Sequence, residues 1–184
     1  MRLTVDGLSY NLEAGGAGEP LVLLHGFTGS AANWRAGRPA LEARHQVLAV
    51  DLPGHGGSDA PADPARYTMA HTVADLAGLL DQLGLRTIFL LGYSMGGRVA
   101  RHFAAAYPER VRGLILESAS PGLVTAEERA ARMAADAALA ERIEREGLAA
   151  FVDHWERLPL FASQARLPAE ARAALRAQRR ANNP

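Results

Sequence analysis

The segment Gly-Tyr-Ser-Met-Gly at residues 92–96 constrains the fold more than any other part of this 184-residue sequence. An apolar run precedes it at residues 87–91, and a helical pattern follows it from Arg98 onward. A turn this short between a buried strand and a helix strains its central residue, and small flanking residues relieve the crowding. The sequence therefore predicts that a sharp turn pushes the Ser94 hydroxyl out from the edge of a sheet.

Strand and helix patterns alternate over the first two thirds of the chain. Asp6-Gly7 lies between two short strand patterns and predicts a hairpin. Continuous apolar runs predict strands buried on both faces, and further strands follow from similar patterns; together they cover residues 21–24, 46–51, 87–91 and 111–116. Helical spacing predicts helices over residues 68–83 and 95–107. This repetition predicts an α/β fold whose mostly parallel sheet has right-handed crossovers.

The composition of the chain changes near residue 121. Residues 121–184 are rich in alanine, arginine, glutamate and leucine, and they carry no strand pattern. Breaks at Gly147, Pro159 and Pro168 divide this region into two or three helices. We therefore expect residues 1–120 to form the α/β core and residues 121–184 to form an inserted helical cap.

Charge and cysteine content exclude several classes of partner. Twenty basic residues balance twenty acidic ones, so nothing favours nucleic acid or an anionic membrane. The sequence has no cysteine, and the six histidines show no metal-ligand spacing. No apolar run is long enough for a signal peptide or a membrane span. We expect a cytoplasmic protein that uses neither a metal nor an organic cofactor.

Two further motifs follow strand patterns. Residues 24–27, Leu-His-Gly-Phe, form a turn in which Phe27 offers a backbone N–H, and Met95 offers a second one at the start of a helix. Residues 51–58, Asp-Leu-Pro-Gly-His-Gly-Gly-Ser, form a glycine-rich loop. We interpret His25 and His55 as structural residues that hold these loops rather than as catalytic bases.

These three motifs, in this order at strand ends, resemble the α/β-hydrolase superfamily over residues 1 to about 120. The resemblance implies that Ser94 is the catalytic residue and that Phe27 and Met95 form an oxyanion hole. It also implies a histidine and an acid after the serine. The histidines after Ser94, His102 and His154, lie at places that the family does not use. Glu117 ends a strand and could point toward the site, although a polar residue that closes the strand is the plainer interpretation. We therefore expect a C-terminally truncated chain, or a pseudo-enzyme, that lacks the last part of the core and has negligible activity as it stands.

The elbow, the segment after Glu117 and the helical region together resemble the 2-succinyl-6-hydroxy-2,4-cyclohexadiene-1-carboxylate (SHCHC) synthase family of menaquinone biosynthesis. The resemblance implies a carbon–oxygen lyase that eliminates pyruvate from a small polycarboxylate, with the serine as the activated base. Guanidinium groups suit carboxylates because they bind them in a bidentate manner. The substrate-binding residues carried over from the family are Tyr93, Arg98, Arg132, Trp155 and Arg176.

Other interpretations of the same residues stay open at this point. A carboxylesterase or thioesterase would share Ser94 and the oxyanion hole without needing the arginines. An inactive fragment or a binding module would explain the missing acid and histidine. Arg98 has a structural alternative, an ion pair with Glu117, and the arginines of the helical region have another, as solvated helix-face charges.

Overall fold

A computed structural model of the protein describes residues 1–183 and contains one six-stranded sheet. The strands are β1 (Arg2–Val5), β2 (Leu8–Gly15), β3 (Glu19–Leu24), β4 (His45–Val50), β5 (Ile88–Tyr93) and β6 (Val111–Glu117). The α-helices of the described chain are α1 (Arg38–Glu42), α2 (Met69–Gln82), α3 (Met95–Ala106), α4 (Ala126–Trp155) and α5 (Ala169–Arg180). Short 3₁₀ segments lie at Ala31–Trp34, Pro64–Tyr67, Pro108–Arg110 and Pro159–Arg166.

The strand order is β1-β2-β4-β3-β5-β6, and strands β3, β4, β5 and β6 are parallel to one another. The hairpin formed by β1 and β2 pairs antiparallel to β4 at one side, so the predicted mostly parallel sheet is confirmed. Within the register, Leu24 lies beside both Val50 and Gly92, and Gly92 lies beside Leu116. The carboxyl ends of β3, β4, β5 and β6 therefore meet at one edge, where the sequence motifs begin.

Each face of the sheet buries its own apolar cluster. The larger cluster includes Tyr10, Val22 and Leu90 from the strands, which pack with Leu79 of α2 and Phe103 of α3. The smaller cluster lies on the opposite face, where alternate residues of β3 and β4 meet the residues that follow β3. Alternation explains this arrangement, because successive side chains of a strand point to opposite faces. Both clusters support the strand ends that carry the candidate site.

Strand β6 is one of the two edge strands of the sheet, and it is largely exposed. Within residues 1–183 it pairs with β5 alone, and Leu114, Ile115 and Leu116 are 38%, 51% and 42% exposed. An apolar edge strand with unpaired backbone groups is a surface on which other strands can add. The burial of β6 is therefore much lower than that of β3, β4 or β5.

The backbone divides into two compact units, Met1–Pro121 and Gly122–Asn182. In the second unit, α4 begins at a capping box. The Thr125 hydroxyl accepts from the Glu128 N–H, and the Glu128 carboxylate accepts from the Thr125 N–H. Gly147 interrupts α4 with φ 80° and ψ 162°, at the residue where the sequence predicts a break. Phe151 and Val152 are the buried apolar residues of α4. Over the described residues, no helix combines the length and apolar character that a membrane crossing requires.

Candidate active site

Ser94 occupies the turn between β5 and α3, and its backbone is strained. Its φ is 51° and its ψ is −111°, a conformation that L-residues rarely adopt. Its N–H donates to the Glu117 carbonyl at 2.8 Å, and its carbonyl accepts from the Arg98 N–H at 3.1 Å. Strain of this kind costs about 1–3 kcal/mol and persists only where the surrounding structure imposes it. Here β6 and the first turn of α3 impose it.

Glycines around Ser94 allow the turn to pack against the sheet. A Cβ at Gly96 would lie 2.4 Å from the Leu24 carbonyl oxygen, and a Cβ at Gly92 would lie 2.4 Å from the Gly96 carbonyl oxygen. Both contacts involve backbone atoms, which cannot rotate away as a side chain does. The two glycines that the sequence singles out are therefore required by close backbone approach.

The turn after β3 lies beside the Ser94 side chain. A Cβ at Gly26 would lie 3.3 Å from the Ser94 Cβ and 2.8 Å from the Tyr93 ring. The turn closes through a hydrogen bond from the Gly29 N–H to the Gly26 carbonyl at 2.9 Å, and Thr28 within it has φ 65°. The geometry brings the Phe27 turn and the N-terminus of α3, where Met95 is the first residue, to the two sides of Ser94. The oxyanion hole formed by Phe27 and Met95 stays a prediction.

His25 is buried, and both of its ring nitrogens are engaged by backbone. Its Nε2 accepts from the Leu52 N–H at 3.0 Å, so its Nδ1 carries the proton and donates to the Gly26 carbonyl at 2.8 Å. Burial, and next the neighbouring His55, lower the pKa of His25 to about 4. His25 is therefore neutral near pH 7 and holds the turn, a geometry that favours the structural interpretation.

His55 lies against the same turn. Its ring centroid is 5.0 Å from that of His25 and 6.2 Å from that of Phe27. Its Nδ1 is 2.9 Å from the Pro53 carbonyl oxygen, and burial lowers its pKa. The ring packs between the loop that follows β4 and the turn that follows β3, which is a structural role.

The base and acid that a serine needs are not assembled around Ser94 in residues 1–183. No hydrogen bond reaches the Ser94 hydroxyl from a described side chain. His102 is exposed on α3 and lies 3.3 Å from an Arg101 nitrogen. His154 belongs to the second unit, and Glu117 contributes its backbone carbonyl to Ser94. Among the described residues, therefore, no histidine and no carboxylate forms a catalytic triad with Ser94.

Arg98 and Tyr93 flank Ser94 in sequence and are open to solvent. Arg98 is exposed in the first turn of α3, and within residues 1–183 it forms no ion pair. The ion pair with Glu117 that the sequence allows is not formed. Tyr93 is 39% exposed, and its ring lies over Gly26. The Ser94 region therefore offers an uncommitted guanidinium and an aromatic ring.

The predicted binding residues of the second unit have partners within that unit. Arg132 pairs with Asp136 at 2.8 Å, one turn along α4. Arg176 pairs with Glu156 at 2.9 Å and with Asp153 at 3.0 Å. Exposed pairs such as these are weak, so they can be exchanged for another anion at little cost. Their contribution to substrate binding stays a prediction.

Trp155 is part of the packing of the second unit. Its ring centroid lies 5.5 Å from that of Phe151 and 5.5 Å from that of Phe161. Arg179 lies over the Phe161 ring at 5.1 Å and donates to Glu156 at 2.9 Å. Sequence reasoning did not single out Arg179, because one arginine among many on helical segments carries no distinguishing pattern.

A family model described as the alpha/beta hydrolase fold matches residues 19–182. The chain belongs to the α/β-hydrolase family. The match covers strands β3 to β6, the strained serine and the helices that follow the sheet. The expected α/β-hydrolase fold class is thereby confirmed.

Two curated relatives resemble the chain over nearly its whole length. A protein of Bacillus subtilis (strain 168), named putative 2-succinyl-6-hydroxy-2,4-cyclohexadiene-1-carboxylate synthase, is 47% identical over 180 residues. These residues are 97% of this chain and 65% of the relative. The synthase of the same name from Klebsiella pneumoniae (strain 342) is 43% identical over 177 residues, which are 96% of this chain and 68% of the relative. The chain thus spans about two thirds of the length of these relatives.

Two solved structures resemble the chain in fold. MenH from S. aureus has a TM-score of 0.87 and 34% identity, over 95% of this chain and 66% of that protein. A thermophilic esterase from Thermogutta terrifontis has a TM-score of 0.83 and 33% identity, over 100% of this chain and 68% of that protein. The resemblance to the SHCHC synthases that the sequence indicates is confirmed, and an esterase shares the fold.

Proposed function

We propose that the protein acts in the elimination of pyruvate from a cyclohexene polycarboxylate, the reaction of an SHCHC synthase in menaquinone biosynthesis. The names of the Bacillus and Klebsiella relatives support this proposal, since their similarity includes the helical unit as well as the elbow. The substrate would be a small anion, and no step of the proposed reaction calls for a metal or an organic cofactor.

Arg98 is the structural observation that carries the proposal. It lies four residues after Ser94 on α3, is exposed, and has no carboxylate partner among the described residues. A guanidinium in this position can bind one substrate carboxylate in a bidentate manner and so place the rest of the substrate at Ser94. An esterase acting on a neutral ester has no need of such a cation.

The reaction at Ser94 is a proton abstraction followed by loss of a leaving group. Once its own proton is removed, the serine oxygen takes a proton from a carbon beside a carbonyl group of the substrate. The electron pair forms the new carbon–carbon double bond, and the carbon–oxygen bond to the pyruvyl group breaks with its electrons staying on that oxygen. The departing enolate then takes up a proton at carbon and becomes pyruvate. The N–H groups of Phe27 and Met95 would stabilise the negative charge that develops on the carbonyl oxygen.

The proposal is tested by following pyruvate release with a coupled lactate dehydrogenase assay. Arg98→Ala should raise the KM for the polycarboxylate by roughly 10- to 100-fold, the loss expected for a charged hydrogen-bonded contact. Arg86→Ala is the matched control, because it removes an equal charge from an exposed residue before β5, at the opposite end of the strand from Ser94. Equal effects of the two substitutions would contradict the assigned role of Arg98.

An esterase activity is the second candidate, and the likeness to the Thermogutta esterase favours it. Hydrolysis of a neutral p-nitrophenyl ester by the wild-type protein, unchanged in Arg98→Ala, together with no pyruvate release, would support the esterase. Pyruvate release that depends on Ser94 and Arg98 would support the lyase.

A serine needs a histidine as its base, so the rate of the 184-residue chain can be predicted and tested. Because no histidine of residues 1–183 is hydrogen-bonded to Ser94, we expect the 184-residue chain to turn over slowly. A chimera in which the remaining third of the Bacillus relative follows residue 184 should be faster by several orders of magnitude, as a base-activated serine is. Equal rates for the chain and the chimera would contradict this expectation.

A further inference from the structure

Asp51 is a buried acidic residue that the proposed reaction does not use. It follows β4 directly, at the same edge of the sheet as Ser94, and it is 2% exposed. A buried carboxylate is costly unless hydrogen bonds compensate for its lost hydration. Within residues 1–183 it forms no ion pair, so its stabilisation must come from neutral donors.

Three N–H donors surround the Asp51 carboxylate. Its Oδ1 accepts from the Ala31 N–H at 2.6 Å, and its Oδ2 accepts from the Gly57 N–H and the Asn11 side-chain amide, both at 2.8 Å. The donors belong to three separate segments: the stretch after β3, the loop after β4, and β2. One side chain therefore joins all three segments.

The loop that follows β4 passes close to the Asp51 carboxylate at Gly56. A Cβ at Gly56, whose φ is 54°, would lie 2.2 Å from the Asp51 Oδ2. The glycine is needed because the loop after β4 wraps closely over the carboxylate. The lack of a side chain at Gly56 thus allows the close contact between the loop and the Asp51 carboxylate.

Asp51 and Leu52 together hold both ends of the turn beside Ser94. The Leu52 N–H binds the His25 ring at the start of the turn, and the Asp51 carboxylate binds the Ala31 N–H at its end. Thr28 lies between these two points in the left-handed conformation, with φ 65°. A strained residue keeps its conformation only when its flanks are held.

We propose that Asp51 is a positioning residue, whose carboxylate holds the 25–31 turn in the conformation that presents the Phe27 N–H toward Ser94. Asp51 acts through the Ala31 N–H and does not touch the substrate. Without its acceptor oxygens, Thr28 would relax toward negative φ, and the turn would move away from the serine. The conformational part of this inference stands on the contacts alone, whereas its catalytic consequence rests on the proposed function.

Asp51→Asn is the test substitution, because it keeps the shape of the side chain while one acceptor oxygen becomes a donor. The remaining oxygen keeps two of the three hydrogen bonds when it faces the Gly57 N–H and the Asn11 amide, so the new NH₂ group faces the Ala31 N–H and cannot accept from it. Amide hydrogen exchange, read by NMR on the full chain, should become roughly tenfold faster or more across residues 27–31, the effect of losing one buried hydrogen bond. Amides of β5 and α3 should change only as far as global stability changes.

Tyr10→Phe is the matched control for a structural loss elsewhere. Tyr10 is adjacent to Asn11 on β2, and its hydroxyl donates to the buried Asp75 at 2.6 Å. The control should lower global stability without singling out residues 27–31. Unchanged exchange in the turn of Asp51→Asn, or an equal rise throughout the core unit, would overturn the proposal.

The effect of Asp51 on catalysis is measured as the rate of pyruvate release in a single turnover, with protein in excess over substrate. Asp51→Asn should slow the chemical step roughly 10- to 100-fold and leave the apparent substrate affinity within about twofold, since the oxyanion contact strengthens in the transition state. Tyr10→Phe should leave both values near wild type. A loss of affinity at an unchanged rate would overturn the positioning role, whereas no pyruvate release from the chimera with the Bacillus relative would refute the proposed function and leave the exchange result to decide on Asp51.

Discussion

Lowering the pH from 7 to 5 should destabilise the core unit through His25. Burial lowers the pKa of the folded His25 to about 4, whereas an unfolded histidine titrates near 6.5. Between these values the unfolded chain binds a proton that the folded chain does not bind, so acid favours unfolding. The stability linked to His25 is fully present above about pH 6.5 and is lost as the pH falls toward 4.

The size of the effect follows from the two pKa values. Each pH unit between them changes the free energy of unfolding by about 1.4 kcal/mol per proton, so the drop from pH 7 to pH 5 costs about 2 kcal/mol. The full loss below pH 4 is about 3 kcal/mol. The neighbouring His55 acts in the same direction, because burial lowers its pKa as well. Depressed carboxylate pKa values, such as that of Asp59, affect stability at lower pH, so the comparison is made at pH 5 and above.

Urea unfolding at pH 7 and at pH 5 measures this difference. His25→Gln keeps a donor and an acceptor in the side chain but cannot titrate, so the variant should be less stable at both pH values and should lose about 2 kcal/mol of the pH dependence. His102→Gln is the control, since His102 is exposed on α3. Equal stability of the wild type at the two pH values would refute the reasoning, as would an unchanged pH dependence in His25→Gln.

Three substitutions, each within one unit, test the packing and the buried hydrogen bonds of the two units. Gly96→Ala should cost about 1–3 kcal/mol or more in urea unfolding, because its Cβ would lie 2.4 Å from a backbone oxygen of β3; Gly37→Ala, whose nearest neighbour would be 3.9 Å away, should cost nothing measurable. Phe151→Ala should cost about 3–5 kcal/mol in the helical unit, where Phe151 is 1% exposed, and a loss under 1 kcal/mol would contradict this. Tyr10→Phe should cost about 1–3 kcal/mol, since it removes the hydrogen bond to the buried Asp75, and an unchanged midpoint would argue against that bond.

The strained serine could be located from sequence because its causes are local. The apolar run before Ser94, the glycines on either side and the helical pattern after it all lie within about 15 residues, and each follows from steric rules. The hairpin at Asp6-Gly7 and the break at Gly147 could be located for the same reason, and both residues of the hairpin turn have positive φ. A residue type that tolerates a strained backbone conformation, such as glycine, marks that conformation directly in the sequence.

The pairing of the charged side chains could not be located from sequence. The sequence allowed an ion pair between Arg98 and Glu117, but the fold leaves Arg98 exposed, whereas Arg176 lies between two carboxylates of its own unit. Any of 20 arginines could meet any of 20 acids, and a surface pair contributes too little energy to leave a pattern.

Neighbouring residues thus determined the elbow, the position of each motif after a strand, and the fold family. Asp51 shows what sequence could not reveal, since its partners are 20 and 40 residues away at Ala31 and Asn11 and are mainly backbone N–H groups, which every residue carries. Such contacts exist only after the sheet has aligned the ends of β2, β3 and β4. The tertiary structure alone therefore decides which side chains hold the turn beside Ser94. A buried carboxylate needs hydrogen-bond donors, and the packing of distant segments determines which donors lie next to it.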